Sequence, residues 1–285
     1  MLERIYVEIG NICNMSCSFC PGTKRERRQM TLREFSEVAE KVKGYVKYLY
    51  LHLMGEPLLH NQLGEIIDVS AKNALAVCIT TNGTLLRKSG EKLIQRAEKI
   101  HKICISLHSF EGNELDALSD GYLETAVEFA KKISQKGSYV VFRLWNVDSA
   151  EAVGKNSRNS EIESYLKRKF PDEWQARRSG FRLSKNIFLE YDGVFVWPTE
   201  SEAPPREAGF CHGALSQLGI LVNGDVVPCC LDSEGEIVLG NIFLQSMEEI
   251  LHAPRLKTMV EGFNKGEMRE DLCKKCSYAK RFKER

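Results

Sequence analysis

From residue 3 to about 146 the chain alternates short apolar runs of strand character with longer runs of helical period, a rhythm that few folds accept. The runs are IYVEIG, TLREFSEVAEKVKGYV, YLYLHLMG, LGEIIDVSAKNA, AVCITTNG, EKLIQRAEK, ICISLHS, YLETAVEFAKKISQKG and YVVFRLWNV. Strands that alternate with helices pair in parallel, so the pattern predicts a parallel sheet, open or closed into a barrel. It gives five strands. A sixth is expected at NIFLEY (186–191), after a polar insertion over roughly 149–180 that reads as helical.

The segment TESEAPPREAGF (199–210) is rich in Pro, Glu and Ala and has no period, which marks a linker and a boundary near 205. Beyond it, LGILVNGDVVPCC places two apolar strands around an Asn-Gly-Asp turn, a strong hairpin signal. A helical stretch, SMEEILHAPRLKTMVEGF, leads to the last cysteine pair. The expected fold class is therefore α/β: a partial (β/α)6 barrel over 1–204 and a small hairpin-plus-helix unit over 205–285.

Ten cysteines fall mostly into two groups, at 13, 17 and 20 and at 211, 229, 230, 273 and 276. The N-terminus runs straight into an alternating pattern without the shape of a secretory signal, and no stretch approaches the ~18 apolar residues of a spanning helix. A cytoplasmic protein follows, with no membrane partner. In that reducing setting clustered cysteines point to metal ligation rather than disulfides. Forty basic and 39 acidic residues nearly cancel, which argues against a broad nucleic-acid footprint.

Cys13, Cys17 and Cys20 lie in GNICNMSCSFCPG, just after the first strand. Cubane 4Fe-4S clusters usually take four protein thiolates, so three leave one iron open to a small ligand. Zinc is the competing reading, but a zinc site wants a fourth Cys or His close by, and His52 lies on another strand. The three-then-two spacing, with Phe19 before the last cysteine, resembles the signature of the radical S-adenosylmethionine (SAM) superfamily. That resemblance implies that the open iron chelates SAM and that the reduced cluster cleaves it to a 5′-deoxyadenosyl radical, which abstracts hydrogen from a substrate. It also implies an external electron donor such as flavodoxin or ferredoxin.

Met54-Gly55-Glu56-Pro57 resembles the superfamily's GGEP motif, with Met in place of the first glycine, and implies SAM contacts from Gly55 and Glu56. A helix-capping acid is the plainer role for Glu56. Alternation along ICISLHS puts Cys104, Ser106 and His108 on one face, expected to line the interior with its last members at the C-terminal mouth. By the same rule Arg143, beside Trp145, points inward. The resemblance implies SAM contacts for Ser106 and Arg143; each could equally be a buried structural polar residue. Asn82, in TTNGT, is either a further SAM contact or one residue of a turn.

Cys211, Cys229, Cys273 and Cys276 complete a set of four that resembles the SPASM/twitch extension of radical SAM enzymes. The spacing is similar to that of the 2-deoxy-scyllo-inosamine dehydrogenases. One auxiliary 4Fe-4S cluster is expected here, with structural zinc as the rival. Cys230 is surplus: it replaces Cys229 as ligand, sits inert in the core, or donates hydrogen to a substrate radical. Cys230 and His108 are the catalytic candidates.

By that analogy the auxiliary cluster accepts an electron, which makes the reaction an oxidation, or it holds the substrate or relays electrons to the first cluster; the expected substrate is a peptide or a small polyol or sugar. A first strand at residue 3 leaves no room for a leader-peptide recognition domain ahead of it. RNA modification is the less favoured alternative, suggested by KRERR (Lys24 to Arg28) and the basic tail CKKCSYAKRFKER. A non-catalytic iron-sulfur carrier or scaffold is the other, but a carrier needs neither Glu56 nor a three-cysteine site.

Overall fold

The computed structural model describes residues 2–109, 113, 121–145, 159–193 and 195–282. One sheet of eleven strands runs through the molecule in the order β11-β10-β9-β1-β2-β3-β4-β5-β8-β7-β6. The strands are β1 Arg4–Val7, β2 Tyr48–Tyr50, β3 Ala76–Thr81, β4 Ile100–Ser106, β5 Tyr139–Trp145, β6 Gln175–Arg177, β7 Gly180–Ser184, β8 Ile187–Asp192, β9 Gln217–Ile220, β10 Asp225–Val227 and β11 Gly240–Asn241. The six expected strands, β1 to β5 and β8, pair in parallel in that order. β9 adds a seventh parallel strand against β1, so the C-terminal hairpin continues the same sheet. The sheet is open, ending at β11 and β6.

Helices connect the parallel strands: α1 Leu32–Val42, α2 Leu63–Lys72, α3 Leu86–Ile94 and α4 Tyr122–Gln135. α1 starts where Thr31 and Glu34 form a reciprocal capping box, and it buries Phe35, Val38, Ala39 and Val42, the i, i+3, i+4, i+7 stripe of a helix packed on a sheet. On the strands, period-two alternation sends Ile5 and Val7 of β1, Ile103 and Ile105 of β4, and Val140 and Phe142 of β5 into this layer. The intervening residues face the concave side.

Two expectations need correction. Residues 146–158 of the insertion lie outside the described residues, and the rest is helical only over α5 Asn159–Lys169; β6 and β7 follow as an antiparallel hairpin on β8. The stretch SMEEILHAPRLKTMVEGF is two helices, α6 Met247–Leu251 and α7 Pro254–Asn264, because Pro254 cannot continue a helix but opens one well. α8, Asp271–Lys275, carries the final cysteines. The Asn223-Gly224 turn joins β9 to β10 as expected, with Gly224 at φ +89°.

Candidate active site

The parallel strands discharge their functional residues at their C-terminal ends, around one cavity of about 780 Å³. Cys13, Cys17, Phe19 and Cys20 reach it from the loop after β1, Gly55 and Glu56 from β2, Asn82 from β3, Ser106 and His108 from β4, and Arg143 from β5. Cys211, Cys229, Cys230, Cys273 and Cys276 line the same cavity from the C-terminal unit. Every sequence-nominated site residue is therefore brought together, across more than 260 positions of chain.

Gly55 explains why the strand-end motif needs a glycine. Its φ is +79°, and a Cβ there would lie 2.4 Å from the Gly10 carbonyl oxygen. Gly55→Ala is expected to add about 1–2 kcal/mol of backbone strain and to push back the segment that leads into Cys13. A fall of about 2–8 °C in the unfolding temperature is the expected readout.

Glu56 is buried and does cap a turn: its Oε1 accepts from Leu58 N–H at 2.9 Å. The same carboxylate accepts from the Thr81 hydroxyl at 2.7 Å and from Asn82 N–H at 2.8 Å, tying the ends of β2 and β3 together. Burial pushes its pKa up against these three donors. Three of about four acceptor positions are taken, which leaves one for a ligand in the cavity. Asn82 does serve a turn, accepting from Thr84 N–H at 3.0 Å, while its Nδ2 donates to Asn14 Oδ1 at 3.1 Å.

At the cysteine loop, Asn113 Nδ2 donates to Cys17 Sγ at 3.1 Å and its Oδ1 accepts from Ser16 N–H at 2.8 Å. The Phe19 ring packs 5.2 Å from His108, and its carbonyl accepts from the Trp197 indole at 3.0 Å. His108 is buried in the 3-10 turn after β4, yet keeps the inward direction expected from strand parity. Burial drives its pKa down to about 3, so it is neutral at pH 7. Nδ1 lies 3.1 Å from the Arg143 carbonyl, and since a carbonyl only accepts, Nδ1 carries the proton.

The two adjacent C-terminal thiols differ in their surroundings. Burial pushes Cys229 well up, and the groups that add to this are Cys230, Cys211 and Cys273. Cys273 is raised by burial and then by Cys211 and Cys276. Cys211 is raised by burial and then by Cys276 and Cys230, so the five C-terminal thiols lie near one another at this end of the cavity. Burial raises Cys230 to about 11, but the groups acting on it are Tyr6, Arg4 and Arg143, on the concave face of the sheet.

The basic run after the first cysteines has structural partners. Arg25 makes a two-pronged ion pair with buried Glu8, at 2.6 and 2.8 Å, and its Nε donates to the Ser233 carbonyl at 2.8 Å. Glu8 also accepts from Val222 N–H at 2.9 Å. Arg28 pairs with Glu34. Two of the four cations in KRERR are therefore engaged in joining the cysteine loop to the fold.

Sequence reasoning missed Arg4, Tyr6, Tyr50, His52 and Lys102, which also line the cavity. The parity rule applied to β4 would have found them, since Arg4 and Tyr6 alternate with Ile5 and Val7, and Tyr50 and His52 with Leu49 and Leu51. Asn113 and Trp197 carry no sequence signal.

Residues 7–148 match the model of the Radical SAM superfamily, and residues 211–277 match that of SPASM, an iron-sulfur cluster-binding domain. Among curated proteins, the chain is 24% identical over 269 residues to the antilisterial bacteriocin subtilosin biosynthesis protein AlbA of Bacillus subtilis, covering 87% of this chain and 59% of that one. It thus spans less than two thirds of that relative's length. It is 22% identical over 287 residues to the S-adenosyl-L-methionine-dependent 2-deoxy-scyllo-inosamine dehydrogenase of Niallia circulans, covering 97% and 93%. The crystal structure of BtrN in complex with AdoMet and 2-DOIA shares the fold, with a TM-score of 0.61 at 18% identity over 97% of this chain and 93% of that one. No helix among the described residues is long and apolar enough to cross a membrane. With its cysteine triplet, strand-end motif and second cysteine set opening on one cavity, the chain belongs to the radical SAM superfamily and is an enzyme with a C-terminal SPASM domain.

Proposed function

We propose that this enzyme starts a substrate oxidation by hydrogen abstraction, with Cys13, Cys17 and Cys20 holding a SAM-binding 4Fe-4S cluster and Cys211, Cys229, Cys273 and Cys276 an auxiliary one. The carrying observation is that both cysteine sets face one cavity of about 780 Å³. With SAM and both clusters bound, the site supplies a 5′-deoxyadenosyl radical to abstract hydrogen and an acceptor for the electron the substrate then gives up. The donor sets suit these groups: three thiols for a centre with one open iron, and four of the five C-terminal thiols for a closed one.

The chain's own residues bind and orient. Gly55, Glu56 and Asn82 offer the SAM amino group backbone and carboxylate acceptors, while Ser106 and Arg143 reach its ribose and carboxylate. Phe19, neutral His108 and Trp197 close the wall beside the cysteine loop and exclude water from the reacting carbon. Asn113 donates to Cys17 Sγ, an N–H···S bond that tunes an iron-sulfur centre. An external flavodoxin- or ferredoxin-type donor supplies electrons, and ten free cysteines fit a reducing cytoplasm. The substrate is a peptide segment or a small polar molecule. We keep the division into 1–204 for SAM chemistry and 205–285 for the auxiliary centre.

Metal analysis tests the assignment. The anaerobically reconstituted enzyme should hold about eight irons per chain; about four with one zinc would refute the auxiliary cluster. Cys229→Ala is expected to lose about four of these irons, whereas Cys230→Ala keeps all of them. The opposite pattern would make Cys230 the ligand.

A further inference from the structure

The concave floor of the cavity, below the mouth where SAM is assigned, is cationic and short of counter-charge. Arg4 Cζ lies 5.8 Å and Lys102 Nζ 5.5 Å from the centre of the Tyr50 ring. Among the described residues Arg143 has its nearest carboxylate, Glu190, at 4.0 Å, and Arg4 donates to exposed Glu3 at 3.1 Å. Around Lys102 the acting groups are Cys104, Tyr50, Cys78 and Arg143, none of them a carboxylate. Cations partly withdrawn from water with so little counter-charge favour an anion beside them.

A second, independent observation marks the same floor. The ring of His52 packs 5.5 Å from Tyr6 and 5.8 Å from Tyr50, and its Nδ1 is shielded from solvent with no hydrogen-bond partner. Buried polar atoms are nearly always paired, so an orphan on a cavity wall points to a ligand atom.

We propose that the substrate carries an anionic group, a carboxylate or a phosphate, which Arg4, Lys102 and His52 hold on this floor while its reacting carbon lies at the mouth. Lys102 and Ser106 are four residues apart on β4, which at about 3.3 Å per residue separates their Cα atoms by about 13 Å. The anion is thus several bonds away from the carbon that reacts. An acidic peptide segment or an extended acid has that reach; a compact neutral polyol leaves the floor unpaired. A groove of about 430 Å³ at the opposite ends of the strands shares Lys102, Ser179 and Glu190 with the cavity and adds Arg177 and Arg178, giving an anion a basic way in.

This inference rests on the reading of SAM at the mouth, and its test separates the two. The reconstituted, SAM-loaded enzyme is titrated calorimetrically with glutarate and with inorganic phosphate at low ionic strength. Saturable binding is expected, weakened roughly tenfold or more in Lys102→Met and in Arg4→Gln. Lys47→Met, which removes an exposed cation from outside the cavity, should bind as the parent does. Iron content and SAM affinity should stay unchanged in all three variants, which shows that the fold and the mouth are intact. Tighter glutarate assigns the floor to carboxylates, and tighter phosphate to phosphate esters. No binding of either anion, or binding that survives both floor substitutions, overturns the proposal.

Discussion

Replacing Cys17 with alanine is expected to abolish 5′-deoxyadenosine formation and to halve the iron content, from about eight to about four atoms per chain. The effect is all-or-none because two thiolates do not hold a cubane whose fourth iron must stay free. The four remaining irons are those expected at the C-terminal cysteines, which stand on separate segments of the chain. Metal analysis with chromatographic detection of 5′-deoxyadenosine reads both halves of the expectation. Residual cleavage above the uncatalysed level, or the loss of all iron, would contradict it.

Arg25→Met is expected to destabilise the enzyme by about 3–5 kcal/mol, the usual cost of leaving one member of a buried ion pair alone. Glu8 has no solvent exposure and would keep only the Val222 N–H. The loss extends further than one pair, because Arg25 also grips the Ser233 carbonyl and so fastens the loop after Cys20 to the turn that follows Cys229 and Cys230. Thermal unfolding of the reconstituted protein should fall by on the order of 10 °C. The double substitution Glu8→Leu with Arg25→Met should recover most of this, since removing both charges removes the stranded one. A single substitution that unfolds like the parent would show that the pair carries no weight.

The sequence made the architecture legible where local physics dictates it. Alternation of strand and helix periods fixed the parallel order of β1 to β5 and β8, and parity along ICISLHS put Ser106 and His108 on the cavity wall. The β6–β7 hairpin was not legible because QARR has no apolar alternation and Phe181 and Leu183 alone are too short an alternation to mark a strand; its pairing comes from the edge that β8 presents. The break at Pro254 was legible by the rule that proline ends a helix, yet a strong apolar period on both sides masked it. Neither the choice between Cys229 and Cys230 nor the Glu8–Arg25 strut could be read from spacing. Cys229 and Cys230 stand in the turn just past β10, where strand parity does not assign their directions.

A centre held by Cys13, Cys17 and Cys20 alone should keep one iron position for SAM. Electron paramagnetic resonance of the reduced, reconstituted enzyme during titration with SAM addresses it directly. One of two cluster signals should change on addition of SAM, and this responsive signal should be missing from Cys17→Ala. Two signals indifferent to saturating SAM would contradict it.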